Sequence, residues 1–203
     1  FDHIEKIISL DNKIIIPNGQ SFEELNFEFH QIKQNLHPVF GFCGRLDIYY
    51  KGLDLLIESF AAHVKNNGKG ILWLIGDSTE RKKLEQSVIA NNLGNRIIFY
   101  GAKYGDQKLN LIANMDVFVH PSRSEGSPTA VFEAAARSRP LLVSTGTNVG
   151  ELVDKYNCGI HIKELNTDGI CKALHDFEDR YHQNNLKHTG ENASRMVREN
   201  FDW

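Results

Sequence analysis

The stretch "DVFVHPSRSEGSPTAVFEAAARSRPLLVS", residues 116–144, decides the fold. It begins with a short apolar run, passes through a loop of small and polar residues, continues as a helical segment rich in alanine, and ends with a second apolar run. Continuously apolar strands on either side of a helix are typical of a parallel sheet whose two faces are both covered. The stretch therefore predicts two parallel strands, near 116–121 and 140–144, joined by one helix.

The same alternation extends along the chain from about residue 38. Further apolar runs predict strands at residues 39–44, 71–76, 96–101 and 159–162, with amphipathic segments between them. Strands that alternate with helices in this way favour an α/β fold with a doubly wound parallel sheet, which is Rossmann-like.

The two ends of the chain differ from this pattern. Residues 1–37 hold one strand-like run, "KIIIPNG", and a polar stretch, whereas the tail from about Leu186 predicts an amphipathic helix. We expect three parts: a hinge-proximal segment packed on the domain at 1–37, the Rossmann-like domain at 38–183, and a C-terminal crossover helix at 184–203.

Composition narrows the classes of function. A net charge of −3 is too mild for nucleic-acid binding through bulk electrostatics. Cys43, Cys158 and Cys171 have no paired spacing, so neither a disulfide framework nor a zinc site is indicated, and a reducing compartment is favoured. No apolar run is long enough to span a membrane, and the first residues lack the features of a signal peptide. We therefore expect a cytoplasmic protein.

Basic residues follow the first strand of the domain. Gly44 and Arg45 come directly after that strand, and Lys51 begins the next helix. A lysine at the positive end of a helix dipole is unfavourable, unless an anion lies between it, Arg45 and the helix end. The alternative is two solvated surface cations, with Asp54 compensating the charge of Lys51.

A second loop with features of an anion site follows the strand at 116–121. Ser127 is a good N-cap and Pro128 suits the first helical position. The free N–H groups between Gly126 and Ala130 would then offer a seat for a phosphate, and Gly126 has no side chain to block the approach.

Two glutamates flank this helix start. Glu133 lies one turn beyond Thr129 on the same helical face, where a carboxylate can accept two hydrogen bonds from a vicinal diol such as a ribose. Glu125 precedes the helix, where it can meet a group beyond the phosphates. The alternatives are an ion pair of Glu133 with Arg137 at i+4, and an exposed loop position for Glu125.

These elements together resemble the donor-binding half of a retaining nucleotide-sugar glycosyltransferase of the GT-B architecture, in the large family (glycosyl transferases group 1, family 4) with a Glu-x7-Glu signature. The resemblance covers about residues 12–203. The elements that carry it, in the family's order, are "IPNG" (16–19), "GRLDIYYKG" (44–52), "NRIIFYG" (95–101), residues 116–144, and "GELV…CGI" (150–160).

The resemblance implies a role for each site residue. Arg45 and Lys51, after Gly44, would hold the diphosphate of the donor, and Glu125 would contact the donor sugar near its reacting carbon. Glu133 would hold the ribose hydroxyls. The residues expected to cradle the distal phosphate are Gly126, Ser127, Pro128 and Thr129, and those expected beside the base are Phe99, Tyr100 and Tyr104.

The resemblance also implies a reaction and its partners. A hexose-type sugar would pass from a UDP-, GDP- or ADP-linked donor to an acceptor, in polysaccharide or glycolipid synthesis. Two fixed cations would stabilise the departing diphosphate, and no cofactor or metal is expected, since the chain has no Asp-x-Asp pair. The N-terminal acceptor-binding domain of the family is missing here, so the isolated domain is expected to be inactive, and the full-length enzyme is expected to associate peripherally with membranes.

Three positions depart from the family's pattern. Ser138 stands where glycine is usual, "TGTNVGE" (145–151) replaces a double glycine, and Ser78 often has a glycine counterpart. The last two lie near strand ends and bear on the identity of the sugar.

Other functions stay open at this point. The fold is shared by nucleotide-sugar epimerases of the same architecture, and by non-catalytic binding modules of the flavodoxin or receiver type. His175, Asp179 and His182 share one helical face and raise a metal hypothesis, but their segment is typical of an ordinary amphipathic surface helix.

Overall fold

The computed structural model describes residues 35–201, so the predicted strand-like run and the "IPNG" element near the start of the chain lie outside the described residues. One sheet of six parallel strands forms the centre of the molecule, in the order β3-β2-β1-β4-β5-β6. The strands are β1 (Val39–Cys43), β2 (Ile71–Ile75), β3 (Ile97–Gly101), β4 (Val117–His120), β5 (Leu141–Ser144) and β6 (Gly159–Ile162). Each predicted strand is confirmed to within one residue at either end.

Helices connect these strands and cover both faces of the sheet. They are α1 (Leu53–Lys65), α2 (Arg81–Ala90), α3 (Gly105–Ala113), α4 (Thr129–Ala136), α5 (Gly150–Tyr156), α6 (Thr167–His182) and α7 (Lys187–Phe201), with a 3₁₀ turn at Thr145–Thr147 before α5. The doubly wound α/β fold is therefore confirmed.

The sheet separates two hydrophobic cores, as the apolar strands predict. Successive side chains of β1 point to opposite faces. Phe40 and Phe42 enter the core shared with α1 and α6, whereas Val39 and Cys43 enter the core shared with α4 and α7. All three cysteines of the chain are buried and free, in agreement with the absence of a disulfide framework.

The predicted C-terminal helix is present as α7 and packs on this domain. Its apolar face is buried through Met196, Val197 and Phe201, and the Phe201 ring stacks on Phe132 with 4.1 Å between centroids. That the helix also crosses to a second domain stays a prediction. Within residues 35–201, every helix is too short or too polar to cross a bilayer.

The order of the strands places a crevice between β1 and β4. The chain leaves β1 toward β2 and leaves β4 toward β5, so the loops after these two neighbouring strands turn in opposite directions. In open α/β sheets, ligands bind at such a switch point, beyond the carboxyl ends of the strands.

Candidate functional site

A cavity of about 560 Å³ opens at this switch point. Its volume lies within the range of about 300–1,000 Å³ that is typical of small-molecule sites. The residues that line it are Cys43, Gly44, Arg45, Lys51, Ile75, Gly76, Asp77, Ala102, Lys103, Tyr104, Lys108, His120, Glu125, Ser127, Pro128, Thr129, Ala130 and Glu133. The structure therefore brings together nearly all of the site residues predicted from the sequence, and Gly126 lies between two lining residues.

Two glycines allow the loops around the cavity to approach each other. Gly76 directly follows β2 and has φ of 142°. A Cβ there would lie 1.8 Å from the carbonyl oxygen of Gly44. Gly52, with φ of 66°, precedes α1, and its Cβ would lie 2.1 Å from the carbonyl oxygen of Pro121. These positions fix the loops after β1, β2 and β4 against one another.

Arg123 joins the loop before α1 to the loop before α4. Its guanidinium donates to both carboxylate oxygens of Asp54, at 2.7 and 2.8 Å, and to the carbonyl oxygen of Tyr49 at 2.7 Å. It also lies over the Tyr49 ring, 4.6 Å from the centroid. Asp54 is thus the partner of Arg123, so the alternative in which Asp54 compensates Lys51 is wrong.

The Glu125 side chain is only 10% exposed and is held by three donors, so its interpretation as an exposed loop residue is wrong. Its Oε1 accepts from the Lys51 ammonium, from His120 Nε2 at 2.6 Å, and from the Ser122 hydroxyl at 2.9 Å. Burial raises the pKa of this carboxyl, but the three donors outweigh burial and hold the pKa at about 2. Glu125 is therefore ionised at neutral pH.

His120, the last residue of β4, contacts Glu125 through Nε2. Its ring lies parallel to Phe42 and Phe118, with centroids at 5.2 and 6.0 Å, and it also lines the cavity. Burial lowers the pKa of His120, more than Glu125 raises it. We therefore assign a neutral ring that donates from Nε2 to Glu125, while Nδ1 is buried and has no hydrogen-bond partner within the described residues.

Glu133 lines the cavity and has one carboxylate oxygen without a hydrogen-bond partner among the described residues. Its Oε1 pairs with Lys108 Nζ at 2.5 Å, whereas Oε2 is buried and has no hydrogen bond to any described residue. Arg137 donates to the main-chain oxygen of Glu133 at 2.9 Å, and the carboxylate pairs with Lys108, so the alternative of an ion pair between the Glu133 and Arg137 side chains is not what the structure shows. The nearby Glu133 charge adds to burial in raising the pKa of the Cys43 thiol to about 12.

The helix at the cavity begins one residue later than the sequence predicts. Pro128 is the N-cap and Thr129 is the first helical residue, so the assignment of Ser127 as N-cap and Pro128 as first helical residue is wrong. The N–H of Thr129 is bonded to the carbonyl of Ser127, at 3.0 Å. Within the described residues, the N–H groups of Gly126, Ser127 and Ala130 have no acceptor, and a Cβ on Gly126 would meet nothing within 4 Å. The free donors that a phosphate needs are therefore present.

The two predicted cations both line the cavity but differ in how firmly they are held. Lys51 is 19% exposed and precedes the N-cap Gly52, so it lies before α1 and does not begin it. Arg45 is 69% exposed and contacts Asp47 at 3.2 Å. An exposed pair of this kind contributes about 0–1 kcal/mol, so the Arg45 side chain is free to turn toward a ligand.

The aromatic residues at the end of β3 are placed differently from the prediction. Tyr100 packs edge-on against Trp73, 5.0 Å between ring centroids, and does not line the cavity. Tyr104 and Lys103, which follow β3, line it instead, and Tyr104 is 80% exposed. The prediction that Tyr100 lies at the site is therefore not supported by the geometry.

Comparison with known proteins shows the family to which the chain is similar. Residues 24–196 match the family described as "Glycosyl transferases group 1". The chain is 30% identical over 154 residues to an uncharacterized glycosyltransferase of Methanocaldococcus jannaschii, which covers 75% of this chain and 41% of that protein. It is 23% identical over 208 residues to the capsular polysaccharide biosynthesis glycosyltransferase CapM of Staphylococcus aureus, covering 96% of this chain and 53% of CapM. The chain spans about half the length of the curated relatives it matches.

The fold also matches solved structures. One is the Anabaena protein HepE in complex with UDP-glucose, with a TM-score of 0.71 and 23% identity, covering 82% of this chain and 45% of HepE. The likeness confirms the GT-B type of Rossmann-like domain.

Proposed function

The chain belongs to the glycosyl transferases group 1 family, and on that premise we propose that it is the donor-binding domain of a retaining glycosyltransferase that takes a nucleoside-diphosphate sugar. The observation that carries this proposal is that one cavity is lined by two kinds of group. They are the cations Arg45 and Lys51 with main-chain N–H groups of Ser127 and Ala130 that have no acceptor among the described residues, and the carboxylate of Glu133, whose Oε2 has no hydrogen bond to a described residue.

These two kinds of group match the two ends of a nucleoside diphosphate. Arg45, Lys51 and the N–H groups near Gly126 suit the pyrophosphate, because cations and a helix start both favour anions. The Oε2 atom of Glu133 suits a ribose hydroxyl, because a buried acceptor without a donor is costly and a hydroxyl would satisfy it. The base then lies toward Lys103 and Tyr104, which replace Tyr100 in this proposal.

The ammonium of Lys51 can serve Glu125 and a phosphate at the same time. A lysine has three N–H donors, and one of them reaches Glu125 Oε1. The remaining donors would stabilise the charge that grows on the diphosphate as it leaves, together with Arg45. We propose that this electrostatic stabilisation takes the place of a metal ion in the reaction.

The geometry of Glu125 suits a contact with the donor sugar. Its Oε1 is occupied by Lys51, His120 and Ser122, whereas its Oε2 has no hydrogen bond to any described residue. A hydroxyl of the sugar would donate to Oε2. Asn148 also holds Glu125, because its side-chain amide donates to the main-chain oxygen of Glu125 at 2.5 Å. Asn148 belongs to the segment 145–151, which stands where the resemblance leads us to expect a double glycine.

The proposal also covers the reaction that the whole protein would catalyse. Transfer of a hexose-type sugar requires an acceptor-binding domain in addition to the described residues, and polysaccharide or glycolipid synthesis is the pathway that the name of CapM supports. A UDP-linked donor is supported by the ligand named for HepE, while GDP and ADP stay alternatives for this chain. Peripheral membrane association and a cytoplasmic location complete the proposal.

The proposal is tested by NMR on the isotope-labelled chain, titrated separately with UDP, GDP and ADP. We expect one nucleotide to shift the amide signals of Arg45, Lys51, Gly126, Ser127, Thr129 and Ala130. A second cavity of about 530 Å³ serves as the internal control through the lining residues that do not contact Glu125, which include Gly150, Glu151, Leu152 and Lys155. Shifts confined to that second cavity, or no shifts with any nucleotide, would contradict the assignment.

The reaction is tested with the full-length protein, its nucleotide sugar and candidate acceptors. A glycoside with the anomeric configuration of the donor is the expected product. Release of an epimerised free sugar would identify an epimerase instead, and nucleotide binding without any product would favour a binding module.

A further inference from the structure

Three metal-ligating side chains meet at the amino-terminal edge of the sheet, at the opposite end from the candidate cavity. His37 lies two residues before β1, and Glu178 and His182 lie in the last turns of α6. One ligand atom from each of the three lies within 4.8 Å of the other two. His182 Nε2 is 3.6 Å from Glu178 Oε1.

The backbone holds these donors in place. Glu178 and His182 are four residues apart, so they share one face of the helix. The segment before β1 is fixed to the same helix because the Tyr181 hydroxyl donates to the carbonyl oxygen of Asn35 at 2.6 Å. The rings of His37 and His182 are edge-to-face, with centroids 6.1 Å apart.

The cluster contains a polar atom that the protein leaves unsatisfied. His37 Nδ1 is buried and has no hydrogen-bond partner among residues 35–201. A buried nitrogen without a partner costs free energy, which a ligand at that atom would recover. His182 is 47% exposed, so the cluster is open to solvent on one side.

Neighbouring groups hold the carboxylate of Glu178 in place. The main-chain N–H of Lys69 donates to both of its oxygens, at 2.8 and 3.0 Å, and His63 Nε2 lies 2.8 Å from Oε2 but off the line of a hydrogen bond. Outer contacts that orient a carboxylate ligand in this way are typical of metal sites.

Two imidazoles and one carboxylate, with one open side, are the donor set of zinc sites that keep a water ligand. We propose that His37, Glu178 and His182 bind a divalent transition metal of the zinc class, which fastens the segment before β1 to the end of α6. Zinc requires donors at about 2.0–2.2 Å, so the three atoms must close together slightly, which the exposed His182 side chain permits. The set differs from the one that helical spacing suggested, because His175 packs on His63, 4.2 Å between centroids, and Glu178 takes the central place.

The proposal is tested by titrating the chelator-treated chain with Zn²⁺ in a calorimeter and with Co²⁺ in a spectrophotometer. We expect one saturable equivalent, and visible absorption bands of a low-coordinate cobalt ion. His37→Ala and His182→Ala are each expected to weaken Zn²⁺ binding by about tenfold or more. The matched control is His188→Ala, since His188 is an exposed histidine 3.7 Å from a glutamate oxygen on α7. It should change the affinity by less than about twofold.

Three outcomes would overturn the proposal. They are the absence of saturable binding, full affinity in the His182→Ala variant, and equal losses in the His182→Ala and His188→Ala variants. Because His182 is half exposed, its variant is expected to fold, and circular dichroism of the metal-free proteins checks this. Zn²⁺ should also raise the melting temperature of the wild type by more than that of His182→Ala at the same Zn²⁺ concentration.

Discussion

The hydrogen-bond partners of Glu125 and Glu133 determine how each carboxylate can take part in the cavity. Glu125 is ionised because Lys51, His120 and Ser122 all donate to one of its oxygens. Glu133 is half satisfied, since Lys108 holds one oxygen and the other has no donor within the described residues. The first carboxylate is therefore fixed in place, whereas the second is open to a ligand.

The open oxygen of Glu133 predicts a specific effect of the ribose hydroxyls. For the nucleoside diphosphate that binds best, the 2′-deoxy form should bind the wild type more weakly, by about 1–3 kcal/mol, which is the cost of leaving a buried acceptor without its donor. In Glu133→Ala the two forms should bind alike. Calorimetric titrations of both proteins with both nucleotides provide the measurement.

Inorganic pyrophosphate is the control for this effect, since it has no ribose. Its affinity should change little in Glu133→Ala. Equal losses for pyrophosphate and for the nucleotide would remove the ribose role from Glu133.

The low pKa of Glu125 predicts how the stability of the domain changes in acid. Its folded pKa of about 2 lies below its ordinary value of 4.5, so its contribution is complete above pH 4.5 and is lost as the pH falls toward 2. The contribution is about 3 kcal/mol at most, from about 1.4 kcal/mol per pKa unit. Urea denaturation of wild type and Glu125→Gln should therefore differ at pH 6 and converge near pH 2.

Glu178→Gln is the matched control, because Glu178 also has a pKa of about 2 and lies at the other end of the sheet. Its loss should add to that of Glu125→Gln, as expected for distant sites. A difference between wild type and Glu125→Gln that stays constant from pH 6 to pH 2 would contradict the assigned hydrogen bonds.

Loops between elements set the geometry of the cavity, and backbone conformation limits which residues they tolerate. Gly52 before α1 has φ of 66° and contacts the carbonyl of Pro121. Gly52→Ala should lower the free energy of unfolding by about 2 kcal/mol or more, through backbone strain and the steric clash. Urea denaturation measures this.

Gly94→Ala is the control for Gly52→Ala, since a Cβ at Gly94 would meet nothing within 4 Å. Its effect should stay within about 0.5 kcal/mol. Equal stability of Gly52→Ala and the wild type would show that the two loops are not in contact as described.

At the end of α4, a substitution of Ser138 by glycine is expected to stabilise the domain, in contrast to the loss expected for Gly52→Ala. Ser138 follows the C-cap of α4 with φ of 54°, a left-handed conformation that favours glycine. Ser138→Gly should therefore raise the free energy of unfolding, by up to about 1 kcal/mol. Ser87→Gly, within α2, should lower it by a similar or smaller amount, and a loss in both variants would contradict the strain at Ser138.

At the scale of elements, the sequence predicts strands better than contacts. All six strands follow from continuous apolar runs, because both faces of a parallel sheet are buried. The positions of Lys108 and Arg123 do not follow, since their partners lie 25 and 69 residues away and no local spacing reveals such pairs. The position of Tyr100 does not follow from the sequence either. A register shift between β2 and β3 pairs Leu74 with Phe99 but Ile75 with Gly101, so Tyr100 is left without a partner in β2, and the apolar pattern does not reveal such a bulge.

For the molecule as a whole, the two ends of the parallel sheet carry different chemistry. The carboxyl ends of the strands form the cavity with its cations and carboxylates, and the amino ends hold the histidine cluster around Glu178. The resemblance to a family and the rule that ligands bind at a switch point both predict the first of these sites. The second depends on residues that the fold brings together from far apart in the chain.

The most direct test of the account is a calorimetric comparison of Lys51→Met with the wild type, titrated with UDP, GDP and ADP. If Lys51 binds the diphosphate, the affinity for the preferred nucleotide should fall by about 1–3 kcal/mol, the usual value of a charged hydrogen bond. Lys83→Met, at a lysine that is 71% exposed on α2, should leave the affinity unchanged. Unchanged affinity in Lys51→Met, or equal losses in both variants, would contradict a diphosphate site at this switch point.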